Sequence, residues 1–242
     1  MGVLREAALT LRPPAEDRHG PLMPMMLVLT VVTGVVDAAS YLRLGHVFVA
    51  NMTGNIVFLG FALAGAQGLS AITSLVALAA FLLGAAVGGR LGARSGEHRG
   101  HLLRAGSAAQ SILLVVALAV GVAVSEPLSS GARYALLVPL ALAMGVQNAS
   151  AQRLAVPELT TTVLTRTLTG IASEASLAGG PGAKLGRRAL AVGAMLIGAL
   201  AGGLLALHVS IVAALAVALG LAGAVGIWVH LASDTPAPWT RV

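Results

Sequence analysis

Residues 22–42 read LMPMMLVLTVVTGVVDAASYL, an apolar run of 21 residues with a single charged side chain, Asp37. A helix needs about 20 mainly apolar residues to cross the hydrocarbon core of a bilayer, so this run predicts a membrane-spanning helix. An ionised carboxylate at that depth is costly unless it is paired or hydrated. The stretch therefore predicts a membrane protein in which Asp37 has either a partner or a cavity.

Similar runs continue along the chain, and the composition agrees with them. Of the 242 residues, 57% are hydrophobic and 10% are charged, and the mean hydropathy is +0.90. A soluble domain of this size needs far more polar residues to cover its surface. We therefore expect one all-α, polytopic membrane domain between a cytoplasmic N-terminal tail at 1–20 and a short, flexible C-terminal tail at 232–242. Eight apolar segments are drawn at 22–42, 46–66, 70–92, 102–124, 132–152, 158–178, 188–206 and 208–231.

Two of these segments have polar centres. The segment at 46–66 carries Asn51, Thr53, Gly54 and Asn55, and the segment at 158–178 carries TTTVLTRTLTG at 160–170. Polar, glycine-containing centres are where a membrane helix can break and expose backbone groups to a cavity. We expect both segments to be broken or re-entrant.

The second half of the chain resembles the first. Three matches occur in order, at offsets of 111, 112 and 114 residues, which indicates an internal duplication with a first membrane repeat at 21–125 and a second at 131–231. Glycines four residues apart within the last match predict close helix packing. The matched sets are Gly34, Asp37 and Tyr41 with Gly145, Asn148 and Gln152; 53–55 with 165–167; and LLGAAVGG at 82–89 with LIGALAGG at 196–203.

The distribution of basic residues chooses between eight and six crossings. With eight crossings and the N-terminus inside, eight basic residues lie inside and six outside, which is hardly a bias. If each broken segment enters and leaves on one face, six crossings remain. Twelve basic residues then lie inside, Arg43 and Arg133 lie outside, and Arg166 lies within the membrane. The positive-inside rule favours this topology, with both termini inside, and the two halves then form an inverted repeat.

Two signatures resemble the YoaK-like family of bacterial inner-membrane proteins. The first is GVVDAASY at 34–41 followed by GHVFVANMTGN at 45–55, and the second is GVQNAS at 145–150 with the threonine-rich stretch at 160–169. The resemblance covers nearly the whole chain after residue 20. It implies a multi-pass protein of the bacterial cytoplasmic membrane and, since that family has no assigned function, it implies no substrate. Family members tend to have glycine where this chain has Arg166, so the resemblance gives Arg166 no role.

In an inverted repeat the two polar centres meet near the midplane, a design that recurs in transporters and channels. We therefore expect a small transporter or channel with a polar site for a small solute or ion. Asp37 would bind a cation, a proton or a polar neutral solute. Alternatively, it pins helices through a hydrogen bond or an ion pair, for which Arg166 is the obvious partner. Asn51, Thr53 and Asn55 are expected to line a path, to cap half-helices, or both. The complete candidate site is Asp37, Asn51, Thr53, Asn55, Asn148, Thr165 and Arg166.

Two other functions are left open. An assembly or accessory protein would use the same polar residues only to hold helices together. An enzyme acting on lipid would need a second acid, base or metal ligand near Asp37, for which Glu174 and Arg166 are distant candidates.

The sequence also excludes several kinds of chemistry. It has no HExxH, P-loop, GxSxG or carboxylate-pair motif and no cysteine, so we expect no enzyme, no metal and no cofactor. Its formal charge of +6 lies in the segments between apolar runs, so the expected partner is the lipid bilayer and not nucleic acid. Homo-oligomerisation is left open.

Overall fold

The protein is a bundle of α-helices. The computed structural model describes residues 2–159, 161, 164–174, 184–233 and 237–240, and the described residues form nine α-helices, one 3-10 turn and no strand. The helices are α1 (Val3–Leu11), α2 (Leu22–Arg43), α3 (Met52–Leu63), α4 (Ala71–Arg94), α5 (Arg99–Ala123), α6 (Ser130–Leu154), α7 (Leu164–Ser173), α8 (Leu185–His208) and α9 (Ile211–Ser233). Six of them, α2, α4, α5, α6, α8 and α9, are long and apolar enough to cross a membrane. The expectation of an all-α membrane bundle is confirmed.

Helices α2 and α8 pack closely and run parallel. A β-carbon at Gly198 of α8 would collide with the backbone of Val31 of α2, and one at Gly202, a turn later, would lie 2.5 Å from the carbonyl oxygen of Val35. The contact advances by one turn on both helices in the same direction. The backbones can approach this closely because glycine has no side chain, as the glycine spacing predicts.

Helices α4 and α6 form the equivalent pair. A β-carbon at Gly84 of α4 would collide with the Leu142 carbonyl of α6, and one at Gly88 would lie 2.9 Å from the Val146 carbonyl oxygen. These helices are therefore also parallel. In the repeat, α2 corresponds to α6 and α8 corresponds to α4, so the same contact is made twice.

Hydrogen bonds at the helix ends give the relative direction of the two pairs. Arg99 at the start of α5 donates to the Leu154 carbonyl at the end of α6, at 2.6 Å, and to the Arg18 carbonyl just before α2, at 3.0 Å. Arg43 at the end of α2 donates to the Ala206 carbonyl near the end of α8, at 3.1 Å. Helix α6 thus ends where α2 begins, and the two parallel pairs run in opposite directions.

The two short helices do not cross the bundle. Because α2 and α4 are antiparallel, the segment between them, with the 12 residues of α3, begins and ends at one end of the bundle. By the same reasoning α7, with 10 residues, belongs to the opposite end. We call the α3 side the Arg43 end. The α7 side is called the arginine-rich end, because it carries Arg18, Arg94, Arg99, Arg153 and Arg188.

Both chain termini are more structured than the sequence indicates. The tail at 1–20 contains helix α1, and the Glu6 carboxylate there accepts a hydrogen bond at 3.1 Å from the Gly186 amide at the start of α8. Within the C-terminal tail, Pro238–Thr240 form a 3-10 turn. Trp239 is buried against Gly20 there, because burying a large aromatic side chain outweighs the ordering of a short segment.

The broken segments are helical over shorter ranges than their apolar runs. Within 46–66 the helix starts only at Met52, after a loop, and within 158–178 the described helix is Leu164–Ser173. Thr160 and Thr162 of the threonine-rich stretch lie outside the described residues. The outward faces of α4 and α8 carry exposed leucines, which suits a bundle that lipid surrounds; they include Leu82, Leu83, Leu196 and Leu200.

Candidate functional site

A cavity of about 900 Å³ is bordered by both halves of the protein, and we call it the central cavity. The two short helices both contribute to its wall, together with α2, α4, α6 and α8. Five of the seven residues predicted from the sequence line it: Asp37, Asn51 and Thr53 from the first half, and Asn148 and Thr165 from the second. Polar groups far apart in the sequence are thus brought to one space.

Asp37 anchors a loop as well as bordering the cavity. It lies near the end of α2 and is 7% exposed. Its Oδ1 accepts hydrogen bonds from the backbone amides of Val49, at 3.0 Å, and Ala50, at 2.8 Å, in the loop that leads into α3. Backbone amides offset part of the cost of burying a carboxylate. Among the described residues Asp37 forms no salt bridge, so the ion pair with Arg166 considered from the sequence is not formed.

Asn55 holds the same loop and does not line the central cavity. Its Oδ1 accepts from the Phe48 amide at 2.9 Å, its Nδ2 donates to the Phe48 carbonyl at 2.7 Å, and the residue is fully buried. Asn51 is the N-cap of α3, where its Oδ1 accepts from the Gly54 amide at 3.3 Å, and it also borders the cavity. Of the two roles expected for these amides, Asn55 shows the structural one, and Asn51 combines a cap with a position on the cavity wall.

The second half presents uncharged groups where the first presents a carboxylate. Asn148 occupies the position in α6 that matches Asp37 in α2, and its Nδ2 donates to the Met144 carbonyl at 2.9 Å. Thr165, in the first turn of α7, is exposed on the cavity wall. The repeat is therefore symmetric in position and asymmetric in charge.

Arg166 lines a different cavity. This second cavity, of about 710 Å³, is bordered by Gln152, Arg153 and Arg166, so it lies toward the arginine-rich end. It shares Phe81 and Asn148 with the central cavity. Arg166 is thus a neighbour of the predicted site and not one of the residues that share a cavity with Asp37.

Aromatic rings line the central cavity, and the sequence reasoning missed them as a group. The ring centroids of Tyr41 and Phe48 are 5.1 Å apart, and those of Phe48 and Phe58 are 5.7 Å apart. Phe81 of α4 adds a fourth ring. The whole chain has only eight Phe, Tyr and Trp residues. That scarcity is the signal that could have singled out the four that line the cavity.

Comparison with known proteins places this architecture in a family. A family model described as "Protein of unknown function (DUF1275)" matches residues 25–228. The chain belongs to the DUF1275 family. It is 31% identical over 152 residues to "UPF0700 transmembrane protein YoaK" of Bacillus subtilis (strain 168), and the match covers 63% of this chain and 66% of that protein, just under two thirds of the relative's length. No solved structure gives a significant match. The resemblance to YoaK-like proteins is confirmed.

The DUF1275 match spans every described residue that lines the central cavity. It also includes a cluster of charged residues around buried Arg188, near α7. Arg188 of α8 is 4% exposed and donates to Glu158 Oε2 at 2.9 Å, to the Gly170 carbonyl at 2.6 Å and to Glu174 Oε1 at 2.8 Å. The hydrogen bond from Arg188 holds the pKa of Glu158 below its usual range. Glu174 is thus engaged by Arg188 and is not among the described residues that line the central cavity.

This family member has no ready-made metal site in the part of the chain that the structure describes. No group of three or more His, Asp or Glu residues lies together there. Asp37 is accompanied on the cavity wall by amides, hydroxyls and aromatic rings. That arrangement can hold a solute by hydrogen bonds, one negative charge and ring contacts.

Proposed function

We propose that this protein is a small transporter or channel of the bacterial cytoplasmic membrane, which moves a small solute or ion through the central cavity. One observation carries the proposal. Polar residues from both halves, Asp37, Asn51 and Thr53 with Asn148 and Thr165, border one space of about 900 Å³. Inverted repeats whose short helices meet at such a site are a recurring transporter design, because rocking one half against the other exposes the site to each side in turn.

The cavity wall offers the groups that a hydrated solute needs. Amides and hydroxyls can replace part of the solute's water shell, and Asp37 adds a carboxylate. The central and second cavities share Asn148 and Phe81. A solute that leaves toward the arginine-rich end therefore passes these two residues.

The rival proposal is an assembly or accessory protein, and one observation favours it. Asp37 and Asn55 both bond the backbone of the α2–α3 loop, so their polarity has a structural use. Thr53 and Thr165 separate the proposals. Both are exposed and both border the central cavity. Removing these two hydroxyls should therefore slow solute movement if the cavity is a path, and should leave helix packing unchanged.

The experiment is solute uptake into proteoliposomes that contain the purified full-length protein. Radiolabelled choline, urea, glycerol and acetate are offered, with protein-free vesicles as the baseline. We expect uptake of at least one solute above the baseline, and we expect the double substitution Thr53→Val and Thr165→Val to slow it. Thr169→Val, one turn beyond Thr165 on α7, is the matched control, because Thr169 is exposed and does not border the central cavity; it should leave uptake unchanged. Baseline rates for every solute, or full activity of the double variant, would favour the assembly reading.

We also propose that the arginine-rich end and both termini face the cytoplasm, because basic loop residues favour that side. The chain has no cysteine, so single cysteines report on sidedness without background. In intact cells a membrane-impermeant maleimide should label Ser125→Cys, in the α5–α6 loop, and should label Glu97→Cys, in the α4–α5 loop, only after lysis. The reverse pattern contradicts the orientation.

A further inference from the structure

We infer that the solute of the central cavity is a monovalent organic cation, either a protonated amine or a quaternary ammonium. Its ammonium group would contact the Asp37 carboxylate, and its alkyl groups would lie against the aromatic rings. This inference deepens the transport function proposed above and rests on it.

The charge of the cavity wall favours a cation. Among the described residues that line the central cavity, Asp37 is the one charged side chain, and no arginine, lysine or histidine joins it. The two amide bonds to Oδ1 hold the carboxylate in place without bringing a full positive charge beside it. An anionic solute would meet this carboxylate with no cation to offset it, whereas a cationic solute would provide the missing counter-charge.

The aromatic rings provide a second means of recognising a cation. A cation within about 6 Å of a ring centroid is attracted by the negative face of the ring, and quaternary ammonium groups are commonly recognised in this way. Tyr41, Phe48, Phe58 and Phe81 border the same cavity as Asp37. Half of the aromatic residues of a chain that is only 3% aromatic thus border the same cavity as this carboxylate.

The size of the cavity and its sparse ligands argue against a bare metal ion. Pockets for organic molecules measure about 300–1,000 Å³, and the central cavity, at about 900 Å³, falls within that range. A Ca²⁺ or Mg²⁺ site requires several converging oxygen ligands, and the described residues hold no cluster of three acidic or histidine side chains. Arg153 and Arg166 border the second cavity and would repel a cation, so the cation would bind in the central cavity.

Isothermal titration of the purified full-length protein in detergent tests the charge preference directly. The probes are benzyltrimethylammonium, benzyl alcohol and benzoate, which share one ring and differ in charge. We expect the wild-type protein to bind the cation at least about tenfold more tightly than the other two.

Two variants with matched controls test the residues. Asp37→Asn should weaken binding of the cation by about 10- to 100-fold, because it removes the coulombic attraction between the carboxylate and the ammonium group. Phe81→Leu should weaken it by about 2- to 30-fold through loss of the ring. Glu97→Gln and Phe61→Leu make the same chemical changes at exposed positions outside the central cavity, and they should bind like the wild type.

Each outcome decides the matter. Equal or tighter binding of benzoate or benzyl alcohol by the wild type overturns the inference, and so does unchanged cation binding in both Asp37→Asn and Phe81→Leu. If Asp37→Asn does not fold, Phe81→Leu and the three wild-type titrations still give the answer. No binding of any probe, together with vesicle uptake of urea, glycerol or acetate, refutes the cation and leaves the proposed transport intact. No binding and no uptake of any solute refutes both.

Discussion

Replacing Gly202 by alanine tests the parallel packing of α2 and α8. The new β-carbon would lie 2.5 Å from the carbonyl oxygen of Val35, whereas ordinary contact begins at 3.4 Å, so the helices must part by about 0.9 Å. The obstacle is backbone, which no change of rotamer can remove. Overpacking costs about 1–3 kcal/mol, and we take the upper value of about 3 kcal/mol. Since alanine gains about 1 kcal/mol of helix propensity over glycine, the net destabilisation is about 2 kcal/mol.

Gly203 provides the matched control, one position along the same helix. A β-carbon there would have the Leu42 Cδ1 at 3.7 Å as its nearest neighbour, an ordinary contact. Gly203→Ala should therefore keep the propensity gain of about 1 kcal/mol. The two alanine variants should differ by about 3 kcal/mol in free energy of unfolding.

The assay is unfolding in mixed micelles, with the mole fraction of sodium dodecyl sulfate raised stepwise and helicity followed by circular dichroism. We expect Gly202→Ala to unfold at a lower mole fraction than the wild type and Gly203→Ala at an equal or higher one. If both variants unfold at the same mole fraction, the close contact of α8 with α2 does not exist as described, and the assignment of parallel pairs fails with it.

Three further predictions concern buried polar groups. Arg188→Gln should lower the free energy of unfolding by about 1–3 kcal/mol in the same assay, because it removes the hydrogen bonds from the buried guanidinium to Glu158 and Glu174; a wild-type transition would contradict it. Since the pKa of Glu158 is lowered in the folded state, the stability it contributes is complete above its unfolded pKa and is lost as pH falls through its folded pKa. The melting temperature should therefore fall on acidification, and less so in Glu158→Gln. Gln147→Leu should destabilise by about 1–3 kcal/mol, because it leaves buried Gln110 without the partner to which it donates at 2.6 Å. The double change to leucine at Gln110 and Gln147 should recover part of that loss in the same titration.

The architecture could be predicted from the sequence where one physical effect dominates, which here is the burial of apolar residues in lipid. Twenty apolar residues have one good solution in lipid, so hydropathy predicts the membrane segments. The distribution of basic residues then favours six crossings over eight, and the glycine spacing marks the close contacts. Helix α1 and the docking of Trp239 could not be predicted in this way. Both depend on tertiary contacts of the chain ends, namely the hydrogen bond between Glu6 and Gly186 and the packing of Trp239 against Gly20.

The candidate site was predictable as a set of polar residues, and less so as a set of contacts. A buried carboxylate requires a partner, but the sequence does not say which one. The partners of Asp37 are backbone amides, and because nearly every residue type has one, the sequence cannot point to them. Arg166 was the expected partner only because its positive charge can be read from the sequence. The aromatic side of the cavity was missed for a similar reason, since phenylalanine in an apolar chain is unremarkable until the rings are seen together.

The parallel pairing of α2 with α8 also bears on how the chain is made. Arg43 and Ala206 are 163 residues apart in sequence, so α2 enters the bilayer long before its partner leaves the ribosome. Asp37 finds its amide partners only 12 and 13 residues downstream, and its burial can be completed early. The face of α2 that packs against the α8 glycines must wait for the second half of the protein. If either half were synthesised alone, its first membrane-spanning helix would lack the helix against which it packs.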